Sequence, residues 1–139
     1  MASRKQKIEA IKRIAMISGA EMNDFHLTAD VIILAEVFSD PFEFNSVIEI
    51  IIKEIEETVK DPSRGEDLKW DLRDLKKLKF YSGFNQYPQK KDLRVVYQLI
   101  KNIVVYGFGH RWLPKSIEEN GVLLDTSIYE KIKQRAGIR

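Results

Sequence analysis

The chain lacks cysteine altogether and has only two histidines, His26 and His110, in 139 residues. Without thiols neither a disulfide framework nor a thiolate metal site can form, and two imidazoles fall short of an all-histidine zinc site. Long apolar runs are missing too. None approaches the roughly 20 residues that a membrane span requires. The basic start Met1-Ala2-Ser3-Arg4-Lys5-Gln6-Lys7 is not followed by the apolar core of a secretory signal. These absences lead us to expect a cytoplasmic protein with no metal, no cofactor and no membrane partner. What is present is ordinary: 44% of the residues are hydrophobic, enough for the core of one domain spanning 1–139.

Net charge is only +2, yet it is unevenly placed. Lys and Arg number 7 against 12 Asp and Glu in residues 1–63, and 16 against 9 in residues 64–139. That change of sign points to an anionic ligand for the second half, with nucleic acid the class it suits best; a solvated surface with accidental asymmetry gives the same count.

Helical spacing of Ile8, Ile11, Ile14 and Ala15 predicts a basic amphipathic helix over 3–18, stopped by Gly19. The apolar run over 27–38 fits either a helix starting at Thr28 or a buried strand. Phe44, Val47, Ile48, Ile51, Ile55 and Val59 recur on one helical face, with Ser46 and Glu49 spaced as a capping box and Asp61-Pro62 as the stop, which predicts the main core helix. Around Lys77-Leu78-Lys79-Phe80 the period changes to two, predicting a strand with both lysines on one side. A loop is expected over 81–91, and Ser127 with Glu130 opens a short basic helix closed by Gly137.

The runs Leu93-Arg94-Val95-Val96-Tyr97-Gln98-Leu99-Ile100 and Ile103-Val104-Val105-Tyr106-Gly107-Phe108-Gly109-His110-Arg111 alternate like the arms of a hairpin around Lys101-Asn102. A two-residue loop pairs Ile100 with Ile103, Arg94 with Gly109 and Asp92 with Arg111. Arg94 and Arg111 then share a face as diagonal neighbours roughly 7 Å apart, and Gly107 and Gly109 leave that surface uncluttered, a clamp suited to phosphate. The other face carries Leu93, Val95, Tyr97, Leu99, Val104, Tyr106, Phe108 and His110 as core, which makes His110 a structural histidine. A three-residue loop reverses the relative facing. The expected fold class is α+β, with N-terminal helices packed on one face of a small antiparallel sheet and a short C-terminal helix.

The core helix ending in Lys60-Asp61-Pro62, the strand Lys77-Leu78-Lys79-Phe80, the segment Leu93-Arg94-Val95-Val96-Tyr97-Gln98, Gly109-His110-Arg111 and Ile128-Tyr129-Glu130-Lys131-Ile132 occur in an order that resembles the RelE/ParE superfamily of toxins from toxin–antitoxin modules. The resemblance covers residues 41–139, leaving 1–40 as a helical extension and about 112–127 as an insertion with a turn at 116–119; the family's first strand is missing unless 31–38 supplies it. It implies a toxin that cleaves mRNA on the ribosome, without a metal, by attack of the 2′-hydroxyl on the adjacent phosphate. Arg94 and Arg111 are then phosphate and transition-state ligands, Lys77 and Lys79 bind substrate or activate the 2′-hydroxyl, and Tyr129 supports acid–base chemistry or stacks on a base. Lys76, Lys90, Lys91 and Lys115 are implied as RNA-binding residues, and a small acidic antitoxin is the implied protein partner, its helix lying on the positive surface or displacing the C-terminal helix. The ParE branch implies instead a DNA gyrase inhibitor, and a non-catalytic interaction domain on the same fold is the third alternative.

Overall fold

The first helix, α1 (Arg4–Ala15), begins where Ser3 and Gln6 cap one another: the Ser3 hydroxyl accepts the Gln6 N–H, and the Gln6 side chain accepts the Ser3 N–H. In this computed structural model residues 1–84, 90–111, 116–119, 122–125 and 128–137 are described. The run over 27–38 resolves as a helix, α2 (Asp24–Val37), started by the Asn23 side chain, which accepts the N–H groups of Phe25 and His26. The core helix α3 (Pro41–Lys60) starts earlier than its Ser46 and Glu49 suggest. Asp40 accepts the Phe42 and Glu43 N–H groups and Pro41 supplies a preset φ in the first turn, a stronger start signal than the capping-box spacing.

Five strands make the main sheet: β1 (Ala20–Met22), β2 (Glu66–Asp67), β3 (Lys76–Phe80), β4 (Leu93–Leu99) and β5 (Ile103–His110), in the order β1-β5-β4-β3-β2. Because β1 runs parallel to β5, the sheet is mixed rather than purely antiparallel, and the extra edge strand is Ala20–Met22, not 31–38. The segment expected to form a turn at 116–119 is instead β6 (Ser116–Glu119), paired antiparallel with β7 (Val122–Asp125). The chain is therefore α+β, closing with α4 (Ile128–Arg135). Among the described residues no helix is long and apolar enough to cross a membrane.

Alternation along the strands divides the apolar residues between two layers. On one face Leu78, Val95, Tyr97, Val105 and Phe108 pack against α1, α2 and α3, with Leu27, Leu34, Phe44, Ile51 and Ile55 at the centre. Residues 1–40 thus help build the main core. On the other face Val96 meets Leu68, Leu72, Leu75, Ile128 and Ile132, so α4 covers the second side of the sheet.

The hairpin turn differs from expectation, and the difference cancels. Leu99 pairs with Ile103, leaving a three-residue loop, but the ladder slips by one between Val96 and Tyr97, so that Tyr106 has no partner in β4. Beyond this bulge Val96 meets Gly107, Arg94 meets Gly109 and Leu93 meets His110, the expected register. Between turn and bulge the facing is reversed: Ile103 and Val105 enter the core, Tyr106 packs on the α4 side, and Val104 is only half-buried. Leu99, at the hairpin tip, is exposed.

Tyr97 ties the sheet to the end of α3. Its buried hydroxyl donates to the Pro62 carbonyl at 2.7 Å and accepts the Gly65 N–H at 2.9 Å. A Cβ on Gly65 would stand 2.6 Å from that hydroxyl, so glycine is needed there. Tyr97→Phe is expected to cost about 1–2 kcal/mol, because two half-buried backbone groups lose their partner. A urea midpoint unchanged from wild type would show that water replaces the hydroxyl without loss.

Candidate functional site

The register of β3 on β4 sets Lys79 opposite Arg94 and Lys77 opposite Val96, and β4 on β5 sets Arg94 opposite Gly109. Directly opposed residues share a face, so these cations lie on the α4 side of the sheet. Since α4 packs over the β5 end, part of that face stays open as a cleft of about 640 Å³. Lys77, Lys79, Arg94, Arg111 and Tyr129 all line it, together with residues from the 66–72 segment. Tyr129 forms one wall: the Arg111 guanidinium lies 5.3 Å and the Lys77 ammonium 5.9 Å from its ring centroid, within cation–π range.

The two arginines are not equivalent. Arg111 is exposed at the end of β5, its N–H donating to the Asp92 carbonyl at 2.8 Å. Arg94 is only 7% exposed, and one guanidinium nitrogen donates to the carbonyls of Lys91 and Leu93 at 2.6 and 3.0 Å. The expected open pair of arginines is thus one exposed and one embedded cation. Nor do the glycines leave bare sheet. A Cβ on Gly107 would stand 2.7 Å from both Ile132 and Arg135, so that glycine admits α4, whereas one on Gly109 would make ordinary contact with Lys131 at 3.4 Å.

Carboxylates line the same cleft. Glu66 pairs with Lys79 at 3.0 Å, and that hydrogen bond holds its carboxyl below the usual range. Asp67 takes the Lys76 ammonium at 2.7 Å and raises its pKa. Lys76 stands opposite Tyr97, on the α3 side of the sheet, and does not line the cleft. Lys90 is exposed, Lys91 lies over the Tyr81 ring, and neither lines the cleft; Lys115 lies outside the described residues.

His110 belongs to the other layer. It is 1% exposed, its ring 6.1 Å from that of Phe38 and its Nε2 3.2 Å from Asp92 Oδ2. Asp92 also accepts the N–H and the hydroxyl of Ser82, at 2.8 and 2.6 Å. Burial pushes the Asp92 carboxyl up, but His110 and Ser82 together hold it below the usual range. The residue types of a hydrolytic triad are present here in the wrong wiring: the Ser82 hydroxyl donates to the carboxylate, not to the imidazole that would activate it.

Sequence reasoning missed two features. Trp70, 84% exposed, lines the cleft from the 66–72 segment, where a large aromatic among charged neighbours was the available signal. The other is the anchor of α4. Asp30 of α2, fully buried, accepts from Lys131 at 2.9 Å and from both terminal nitrogens of Arg135 at 2.9 Å, while its Oδ2 also accepts the Phe108 N–H at 3.0 Å. Lys131 and Arg135 in turn donate to the carbonyls of Phe108 and Tyr106. This cluster caps the edge of β5 beyond the end of β1 and fixes Tyr129 through its helix. Comparison with protein-family models, with curated proteins and with solved structures gave no match to this chain, so the cleft is read from its own chemistry.

Proposed function

We propose that this chain is the toxin of a toxin–antitoxin module, an endoribonuclease that cuts mRNA on the ribosome without a metal, as the RelE/ParE resemblance implies. The observation that carries the reading is the convergence of Lys77, Lys79, Arg94, Arg111 and Tyr129, from strands β3 and β4, the end of β5 and helix α4, in one open cleft. In the proposed reaction the 2′-oxygen attacks the adjacent phosphorus and the bond to the 5′-oxygen breaks. The 2′-hydroxyl gives up its proton and the departing 5′-oxygen gains one, leaving a 2′,3′-cyclic phosphate and a 5′-hydroxyl. Charge gathers on the equatorial oxygens, and fixed cations facing them stabilise it. Arg111, Lys79 and the desolvated Arg94 take that role, with substrate phosphate replacing Glu66 on Lys79. Lys77 and Tyr129 are assigned to the two proton transfers.

The proposed antitoxin is a small acidic protein acting in the cytoplasm. Because Asp30 holds α4 by two cations, a partner helix laid over the cleft fits better than one displacing α4. The second reading, a ParE-like gyrase inhibitor, draws on one observation: Arg94 spends a guanidinium nitrogen on main-chain carbonyls, which binding tolerates better than catalysis.

Primer extension on a message translated in a cell-free reaction tests the choice. Discrete cuts with 5′-hydroxyl ends that require ribosomes are expected. An intact message with blocked gyrase supercoiling selects the second reading, and an intact message with normal supercoiling removes both.

A further inference from the structure

We infer that Trp70 is a stacking platform for one base of a single-stranded RNA, a nucleotide subsite beside the phosphate cleft; the inference rests on the RNA reading proposed above. Trp70 is the sole non-glycine residue with positive φ among the described residues, at 61°. Left-handed backbone is unfavourable for a bulky side chain, and such outliers cluster at ligand sites. The strain here holds an indole out of the core, 84% exposed.

Position gives that exposure a chemical meaning. Trp70 lines the cationic cleft on one side, and on the other a second cleft of about 270 Å³ that it shares with Lys69, Leu72 and Lys133. Lys69 and Leu72 line both clefts, so the indole stands with Lys69 between Lys77 and Arg111 in the first and Lys133 in the second. Alternating cations and an exposed ring match a strand of phosphates with unstacked bases, and any base offers the π-face required.

The test uses an oligoadenylate about ten nucleotides long, within the span such sites cover. In a Trp112→Phe background, Trp70 is the single tryptophan, and its emission reports stacking directly. The oligonucleotide is expected to quench that emission. Trp70→Asn, whose side chain suits left-handed backbone, is expected to weaken binding roughly 5- to 150-fold. The slope of affinity against salt should stay as in wild type, because the phosphate contacts remain. Circular dichroism of the Asn variant should match wild type, and Trp70→Phe should recover part of the affinity.

The results that overturn the inference are separable from those that overturn the RNA reading. Salt-dependent binding by wild type that Trp70→Asn leaves unchanged removes the stacking site and spares the RNA reading. Equal quenching by inorganic polyphosphate removes it too, since charge rather than a base then moves the signal. Unchanged RNA affinity with lost binding of an acidic peptide reassigns Trp70 to a protein partner. No oligonucleotide binding by wild type at low salt removes both the site and the RNA reading.

Discussion

Asp30→Ala is expected to destabilise the fold by about 3–5 kcal/mol, the loss that follows when a buried pair is broken from one side. The substitution leaves Lys131 and Arg135, with side chains 4% and 10% exposed, without their counter-charge, and strips the Phe108 N–H of its acceptor. A domain of this size has about 5–15 kcal/mol of stability in all, so the melting temperature should fall by roughly 10–20 °C. Asp30→Asn preserves volume and separates the charge from the cavity: it too should lose most of the stability, because an amide cannot neutralise two cations. A loss under about 1 kcal/mol in urea unfolding, for both variants, would mean that Lys131 and Arg135 find water instead.

The same carboxylate governs acid stability. Burial pushes the Asp30 carboxyl up, but Lys131 and Arg135 overcome this and hold it below the ordinary aspartate value. A group depressed in the folded state contributes stability above its unfolded pKa of about 3.9, and that contribution is lost as pH falls through the folded value. Wild type should therefore lose stability below about pH 4. Asp30→Asn should start lower at pH 7 and fall less steeply, its remaining slope coming from groups such as Asp92.

Local patterns revealed those parts of the fold that depend on local patterns. The pairing of Arg94 with Gly109 followed from alternation alone, even though the turn is one residue longer than expected, because the bulge at Tyr106 restores the register before the arginine. Nothing in the period of 103–111 marks that bulge; it is fixed by Tyr106 reaching Gln98 across the ladder and by α4 packing on the adjoining glycine. Helix α2 could not be told from a strand by period, because it is apolar around much of its girth, wedged between α1 and β5; Asn23-Asp24 was its readable start. The parallel edge strand at 20–22 has no signal of its own, being three residues held by the neighbouring β5. The site was legible to the same degree. Strand facing put Lys77 beside Lys79 and Arg94 beside Arg111, and only the family resemblance joined the two pairs; the depth of Arg94 and the Asp30 anchor come from residues distant in sequence, which no spacing encodes.

Arg111→Ala is the substitution expected to act most strongly on the proposed reaction, lowering cleavage about 10²- to 10³-fold, as removal of one fixed donor to a developing oxyanion does. Three features single it out. It is exposed where Arg94 is embedded, so it can meet a phosphate without first giving up main-chain acceptors. Its guanidinium lies over Tyr129, which fixes its direction. And its side chain carries little of the core, so stability should stay within about 0.5 kcal/mol of wild type, whereas Arg94→Ala leaves two carbonyls without their donor and mixes folding with chemistry. Arg111→Lys should recover only part of the rate, since an ammonium cannot present two parallel donors to a phosphate. Single-turnover cleavage on programmed ribosomes, read beside urea unfolding of each variant, separates these effects. Cutting by Arg111→Ala within threefold of wild type would remove Arg111 from the reaction and leave the phosphate to Lys79 and Arg94.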